Sequence, residues 1–298
     1  MTAVEELPVA ETPKETPKET AAPTPPPAST NLPLRAAGVA LGLLGVFVLG
    51  FLAYLAVLSP LQHDRDQITR YADFRKELAE GTAPVAPPIA AGKSVAILEI
   101  PRLGLREVVV EGTTSADLTH GPGHRRDTPL PGQPGISVIL GRAGAYGGPF
   151  GDLGKLHTGD VITVITGQGL ASYTVSGTGP SILPPVPGSS TLVLVTADSG
   201  VAPRGEALVT ARLTSQPVAG NSAEAPRIHR SEVGLSGDLG ALVPLLLWAE
   251  ALLLAVGLTT FSYLRWSKWP TYVISSPVLL AVLWNIYESL ARLLPNTL

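Results

Sequence analysis

The sequence contains no cysteine. That excludes disulfides, thiolate metal ligands and cysteine nucleophiles together, and it leaves the compartment open, because an exported protein can do without disulfides. Charge is also scarce. Asp, Glu, Lys and Arg make up 15% of the 298 residues and the mean hydropathy is +0.28, which points to a membrane protein. The formal net charge of −3 argues against nucleic acid as a partner, since neutralising phosphates takes a basic surface.

What is present falls into blocks. Residues 1–35 hold ETPKETPKET and then AAPTPPPAST. Many prolines, mixed charge and few aromatics cannot bury enough surface to fold, so this reads as a disordered, Pro-rich cytoplasmic tail, with a Pro-rich recognition element as the alternative. Residues 36–58 carry no charge over 23 positions, enough for a first transmembrane helix. It reads as a signal anchor, because both the apolar run and the tail before it are too long for a cleaved leader. Residues 59–93 read as a stalk and linker: Leu61, Ile68, Tyr71, Phe74 and Leu78 recur at helical spacing, and GTAPVAPPIAAG follows as a stiff connection.

From residue 94 to 214 the pattern changes to short β-branched runs separated by Gly and Pro. The candidate strands are 94–100, 106–112, 136–142, 160–166, 171–177, 191–197 and 206–213, which argues for a small all-β barrel or sandwich. A short helix fits 114–121. A polar linker at 215–240 leads to two more apolar runs, 241–264 and 272–294. Trp266, Trp269 and Tyr272 suit an interfacial belt, and Arg265 and Lys268 place the 265–271 loop in the cytoplasm by the positive-inside rule. With three spans, the tail is then cytoplasmic and the β domain extracellular in a multi-pass membrane protein. Glu250 near mid-span, with Asn285 and Glu288 in the last helix, is read as helix–helix or partner contact rather than a proton relay. Arg292 can pair with Glu288 at i, i+4.

The stretch 120–164 carries Gly121-Pro122-Gly123-His124, Pro131-Gly132-Gln133-Pro134-Gly135, Gly141, Tyr146-Gly147, Pro149-Phe150, Leu153, Leu156 and Gly159-Asp160. These motifs, with TLVLVTA (191–197) and EALV (206–209), resemble sortases, the membrane-anchored transpeptidases of Gram-positive surfaces, and most of all the class E type of actinobacteria. The resemblance covers about residues 94–213. It implies an eight-stranded sortase barrel. It also implies a mechanism in which a Cys thiolate attacks the Thr–Gly bond of an LPxTG-like sorting signal, a His serves as acid or base, and an Arg positions the substrate.

Each of those roles falls on a residue that cannot perform it. The Cys position is Ala197, whose methyl cannot form an acyl-enzyme. The His position is Arg142, which does not give up its proton near neutral pH. The Arg position is Glu206, with Arg204 two residues upstream as a shifted substitute. No catalytic residue is therefore expected, and the chain is identified as a degenerate, pseudosortase-like member. An unorthodox peptidase or transpeptidase site built from Ser199, His124 and Arg204 is the enzymatic alternative. A barrel acting as a plain spacer is a third reading.

His124, Arg125, Arg126, Arg142, Thr196 and Arg204 are the candidate lining of a groove that binds a carboxylate or phosphate without cleaving. His120, His124 and Asp127 do not make a convincing metal site, since H-G-P-G-H cannot be helical; no metal and no cofactor is expected. Beyond the membrane, the expected partners are an active sortase, a sorting-signal peptide, or other membrane proteins reached through the second and third spans. Scaffolding in surface-protein sorting or cell-wall assembly is the function these features imply.

Overall fold

The structure, a computed structural model, describes residues 32–179, 190–198, 205–220, 227–265 and 268–298. Of the tail expected over 1–35, residues 1–31 lie outside them, as do Trp266, Ser199 and Arg204, and its last four residues are not tail but the start of a helix. The chain divides into two units, Met1–Val46 and Phe47–Leu298. The described part of the first is helical and leaves Leu34, Leu41 and Leu44 exposed, as suits a helix in lipid.

Helix α1 runs Leu32–Ala53, a π-helical turn follows at Tyr54–Leu58, and α2 covers Ser59–Glu80. Pro60 removes a backbone N–H just where the turn widens, and Ser59 Oγ donates to Leu55 O at 2.8 Å. The stalk expected from residue 59 is thus a direct helical continuation. It stops at Gly81, whose φ of 68° closes the helix in the left-handed region.

Phe74 of α2 is buried against Ile97 and Val108, with Tyr71 and Leu78 packed around it. Gln67 then ties α2 to the barrel. Its Oε1 accepts from Val108 N–H at 2.7 Å, and its Nε2 donates to the carbonyls of Val108 (3.2 Å) and His120 (2.7 Å).

Eight strands close a barrel: β1 Ser94–Ile100, β2 Leu105–Glu111, β3 Gly123–His124, β4 Ile136–Leu140, β5 Val161–Thr166, β6 Gly169–Gly179, β7 Thr191–Ala197 and β8 Glu206–Leu213. The order around it is β1-β2-β3-β4-β7-β8-β6-β5, with β2–β3 and β4–β7 parallel and the other pairs antiparallel. The strand that sequence reading missed is β3. Two residues cannot show a period, and Gly123 is there because a Cβ would lie 2.2 Å from Gly112 O. The helix expected at 114–121 is a single 3₁₀ turn, Asp117–Thr119.

Alternation along β7 divides two cores. Leu192 and Leu194 point into the barrel with Ile139, Val209 and Ala211. Val193 and Val195 point outward onto Val138, Leu140 and Leu118, with Leu208 beside them. Both faces are buried, and burying each such side chain stabilises the fold by about 1.5–3 kcal/mol. By the same period, Ala197 lies on the outward face and Thr196 on the inward one.

After the barrel, 3₁₀ turns at Arg230–Glu232 and Leu239–Ala241 lead into α3 (Leu242–Arg265), which packs beside α4 (Lys268–Leu293). Among the described residues, three helices are long and apolar enough to cross a membrane, Leu34–Glu80, Leu239–Arg265 and Trp269–Leu293. The loop expected at 265–271 is shorter than that, because α4 begins at Lys268 and Trp269–Tyr272 are helical. Glu288 and Arg292 pair at 2.5 Å, Asn285 Nδ2 donates to Ala281 O at 2.8 Å, and Glu250 is exposed on α3.

Candidate functional site at the end of β7

Ala197, the last residue of β7, stands directly across the ladder from Glu206, the first of β8. Both side chains lie on the outward face, beside Val195 and Leu208. Glu206 borders a small hollow of about 120 Å³ with Arg125, Leu140, Val233 and Gly234. Burial pushes its carboxyl above the usual range, and Arg125 opposes the shift.

Arg142 follows β4 by two residues and is fully buried, at 0% exposure. The expectation that it lines an open groove is corrected: its guanidinium is spent on the loop after β2. Nη2 donates to Ser115 O (2.9 Å) and Ser115 Oγ (2.8 Å), and Nε donates to Leu118 O (3.2 Å). It also lies over the Tyr146 ring, 5.1 Å from the centroid. Nη1 has no partner among the described residues, and burial pushes the group down to about 10. Tyr146 holds a left-handed φ of 52°, unusual for a bulky residue. It is fixed there by Tyr54 Oη at 3.1 Å and by its N–H donating to Ser59 Oγ at 3.1 Å.

Of the other expected groove residues, Thr196 lines the cleft beside Ala197, while His124 and Arg126 are engaged elsewhere. His124 is buried, with Nδ1 2.8 Å from Glu111 Oε2 and Nε2 3.0 Å from Pro129 O and 3.2 Å from Thr128 Oγ1. Neither ring nitrogen is left to serve as a base. His120 faces Asp66 at 2.7 Å and Asp127 holds Arg125 at 2.6 Å, so the three do not converge on a metal. Arg126 grips Glu232 through two bonds, 2.7 and 2.8 Å. Burial pushes the Glu232 carboxyl up, but these bonds and the His229 N–H outweigh it and hold the group below the usual range. Ser199 and Arg204 lie outside the described residues.

What sequence reading missed entirely is the segment that covers Ala197. Past α4 the chain makes a turn at Pro295–Leu298, closed by Leu298 N–H donating to Pro295 O at 3.0 Å. Thr297 O accepts from Ala143 N–H at 2.9 Å and from Ala197 N–H at 3.4 Å. Asn296 Nδ2 donates to Thr113 O (2.8 Å) and Val233 O (3.0 Å), while its backbone N–H donates to Ser236 O (2.9 Å). Ala197 is consequently only 2% exposed. A cleft of about 410 Å³ continues beside the turn, between Leu298, Ala207, Asp198 and Asp152. The available signal was a short polar stretch, Pro-Asn-Thr, following an apolar span.

Residues 98–213 match the family model for the sortase domain. The barrel belongs to the sortase domain family. Over 117 residues, 39% of this chain, the sequence is 28% identical to Sortase D of Bacillus subtilis (strain 168), and the match spans about half (51%) of that relative. Sortase E of Streptomyces avermitilis is 32% identical over 43% of this chain and 91% of that one, with a TM-score of 0.37. A Clostridium perfringens Sortase D5 transpeptidase is 23% identical over 51% of this chain and 98% of that one, with a TM-score of 0.42. The helices α3 and α4 and the turn over Ala197 all lie outside the residues that match the sortase family model.

Proposed function

We propose that this is a catalytically inactive, sortase-like membrane protein that binds sorting signals without cleaving them and scaffolds surface-protein sorting or wall assembly. The observation that supports this most is the methyl group of Ala197 at the end of β7, facing Glu206. The resemblance implies a thiol and an arginine at those two positions. A methyl offers no electron pair for acyl transfer, and Arg142 at the acid–base position keeps its proton at neutral pH. His124, the base needed by the Ser199–Arg204 alternative, has both ring nitrogens occupied.

The class E likeness and a Gram-positive, actinobacterial setting belong to the same proposal. So does the topology. Linker residue Asp238, just ahead of α3, donates from its N–H to Arg292 O at the far end of α4, so the outer ends of the two helices meet. That suits a β domain outside the cell and the α3–α4 connection inside. Glu250, exposed on α3, suits a helix of an active sortase or another membrane protein as partner.

The full chain in detergent, given an LPxTG-type peptide library, tests the reading when binding and cleavage are recorded together. An Ala197→Cys, Arg142→His, Glu206→Arg variant is measured beside it. Binding without turnover by the unsubstituted chain is expected. Turnover that disappears with Ser199→Ala would overturn the proposal in favour of the enzymatic alternative.

A further inference from the structure

We propose that the end of β7 and the Ala143–Ala145 loop form a peptide-binding site, which the chain fills with its own turn Pro295–Leu298 as a built-in, exchangeable ligand. This rests on the reading above, and it assigns that site an occupant and a ligand class.

The turn is held as a bound peptide is held, mainly through main-chain groups. Thr297 O takes two backbone N–H groups, from Ala143 and Ala197, and Leu298 O takes a third from Ala145 at 3.4 Å. Selectivity comes from one side chain. Asn296 is fully buried and its amide donates both protons, to Thr113 O and Val233 O. Only a side chain with two donors on one nitrogen makes that bridge; a carboxylate would face two carbonyls. Leu294-Pro295-Asn296-Thr297 also has the Leu-Pro-x-Thr order of the sorting signal that the proposed function assigns to this groove. The ligand class is therefore a peptide carrying Pro-Asn-Thr in a turn.

Three features make the occupant an exchangeable ligand rather than a fixed piece of core. Asn296 Oδ1, Thr297 Oγ1, Thr196 Oγ1 and Arg142 Nη1 are all buried without partners among the described residues, so the internal fit leaves polar groups unsatisfied. The cleft of about 410 Å³ beyond Leu298 leaves room for a longer peptide to continue. The turn also hangs directly from α4, which ends at Leu293, so movement of that helix withdraws it. Tethering gives it an effective concentration on the order of millimolar, and a free peptide competes poorly until the tether is released.

The test uses the full chain in detergent micelles and a fluorescent acetyl-Leu-Pro-Asn-Thr-Leu-amide peptide, read by anisotropy. Asn296→Asp ejects the internal turn, and the peptide then binds at least tenfold more tightly than to the unsubstituted chain. A second measurement guards against misfolding of that variant. The chain has no cysteine, so an Ala197→Cys, Thr297→Cys pair can form only one intramolecular disulfide. Rapid cross-linking that millimolar peptide slows is expected. No cross-link, or a cross-link indifferent to peptide together with unchanged peptide affinity in Asn296→Asp, would overturn the inference. Failure of the underlying reading looks different: the unsubstituted chain would cleave an LPxTG-type peptide at its Thr–Gly bond.

Discussion

Arg126 and Glu232 are 106 residues apart in sequence, yet two hydrogen bonds of 2.7 and 2.8 Å join them side by side. The pair pins the segment after the barrel to the loop after β3. Thr113 Oγ1 reinforces it by donating to Glu232 O at 2.6 Å. That segment also supplies the Val233 and Ser236 carbonyls to Asn296, so the wall of the site depends on this clamp.

Arg126→Ala will leave the buried Glu232 carboxylate unpaired and destabilise the protein by about 2–3 kcal/mol. Urea unfolding measures this, and trypsin will cut sooner at Arg227 and Arg230. Because the folded carboxyl is held below its unfolded value, its contribution is present above the unfolded pKa and lost as pH falls through the folded one. Glu232→Gln will therefore flatten the loss of stability seen below about pH 4.

Arg142→Ala will cost about 3 kcal/mol, through the cavity it leaves and the Ser115 and Leu118 carbonyls it abandons. Its folded pKa lies below the unfolded one, so the unfolded chain binds more protons in between. Its contribution to stability thus rises as pH increases through about 10. Relative to Arg142→Met, the unsubstituted chain gains stability there, as denaturant titrations at pH 8 and above 10 will register.

Tyr173 Oη accepts from Gly132 N–H at 2.6 Å, and burial pushes the phenol up to about 12. Tyr173→Phe will cost about 1–2 kcal/mol by orphaning that N–H. The raised value means a contribution present below the unfolded pKa near 10 and lost as pH rises through about 12. Absorbance titration of phenolate will find one tyrosine fewer with a delayed onset in the variant.

Gly141→Ala will disturb the loop that carries Arg142 and Ala143. A Cβ there would lie 2.4 Å from the Phe150 ring, and Phe150 N–H donates to Arg142 O at 2.9 Å. A loss of roughly 2–3 kcal/mol is expected, as in overpacked cores, with weaker cross-linking between positions 197 and 297 in the pair described above.

Local pattern in the sequence was enough for the apolar helices, for seven of the eight strands, and for Ala197 at the close of β7. Each of these rests on a repeat of two or 3.6 residues, or on a long run without charge, and such signals are complete within one segment. The absence of cysteine was likewise final on reading, because no arrangement of the chain can supply a thiol it does not have.

Only the tertiary structure decided the rest. It turned Arg142 away from solvent onto Ser115, occupied both nitrogens of His124, and laid Asn296 across Thr113 and Val233. These contacts join residues 4 to 183 positions apart, and most run through backbone carbonyls, which every residue type presents alike. Composition and spacing carry no record of which carbonyl a side chain will meet. That is fixed by how the barrel, the linker and α4 close on one another.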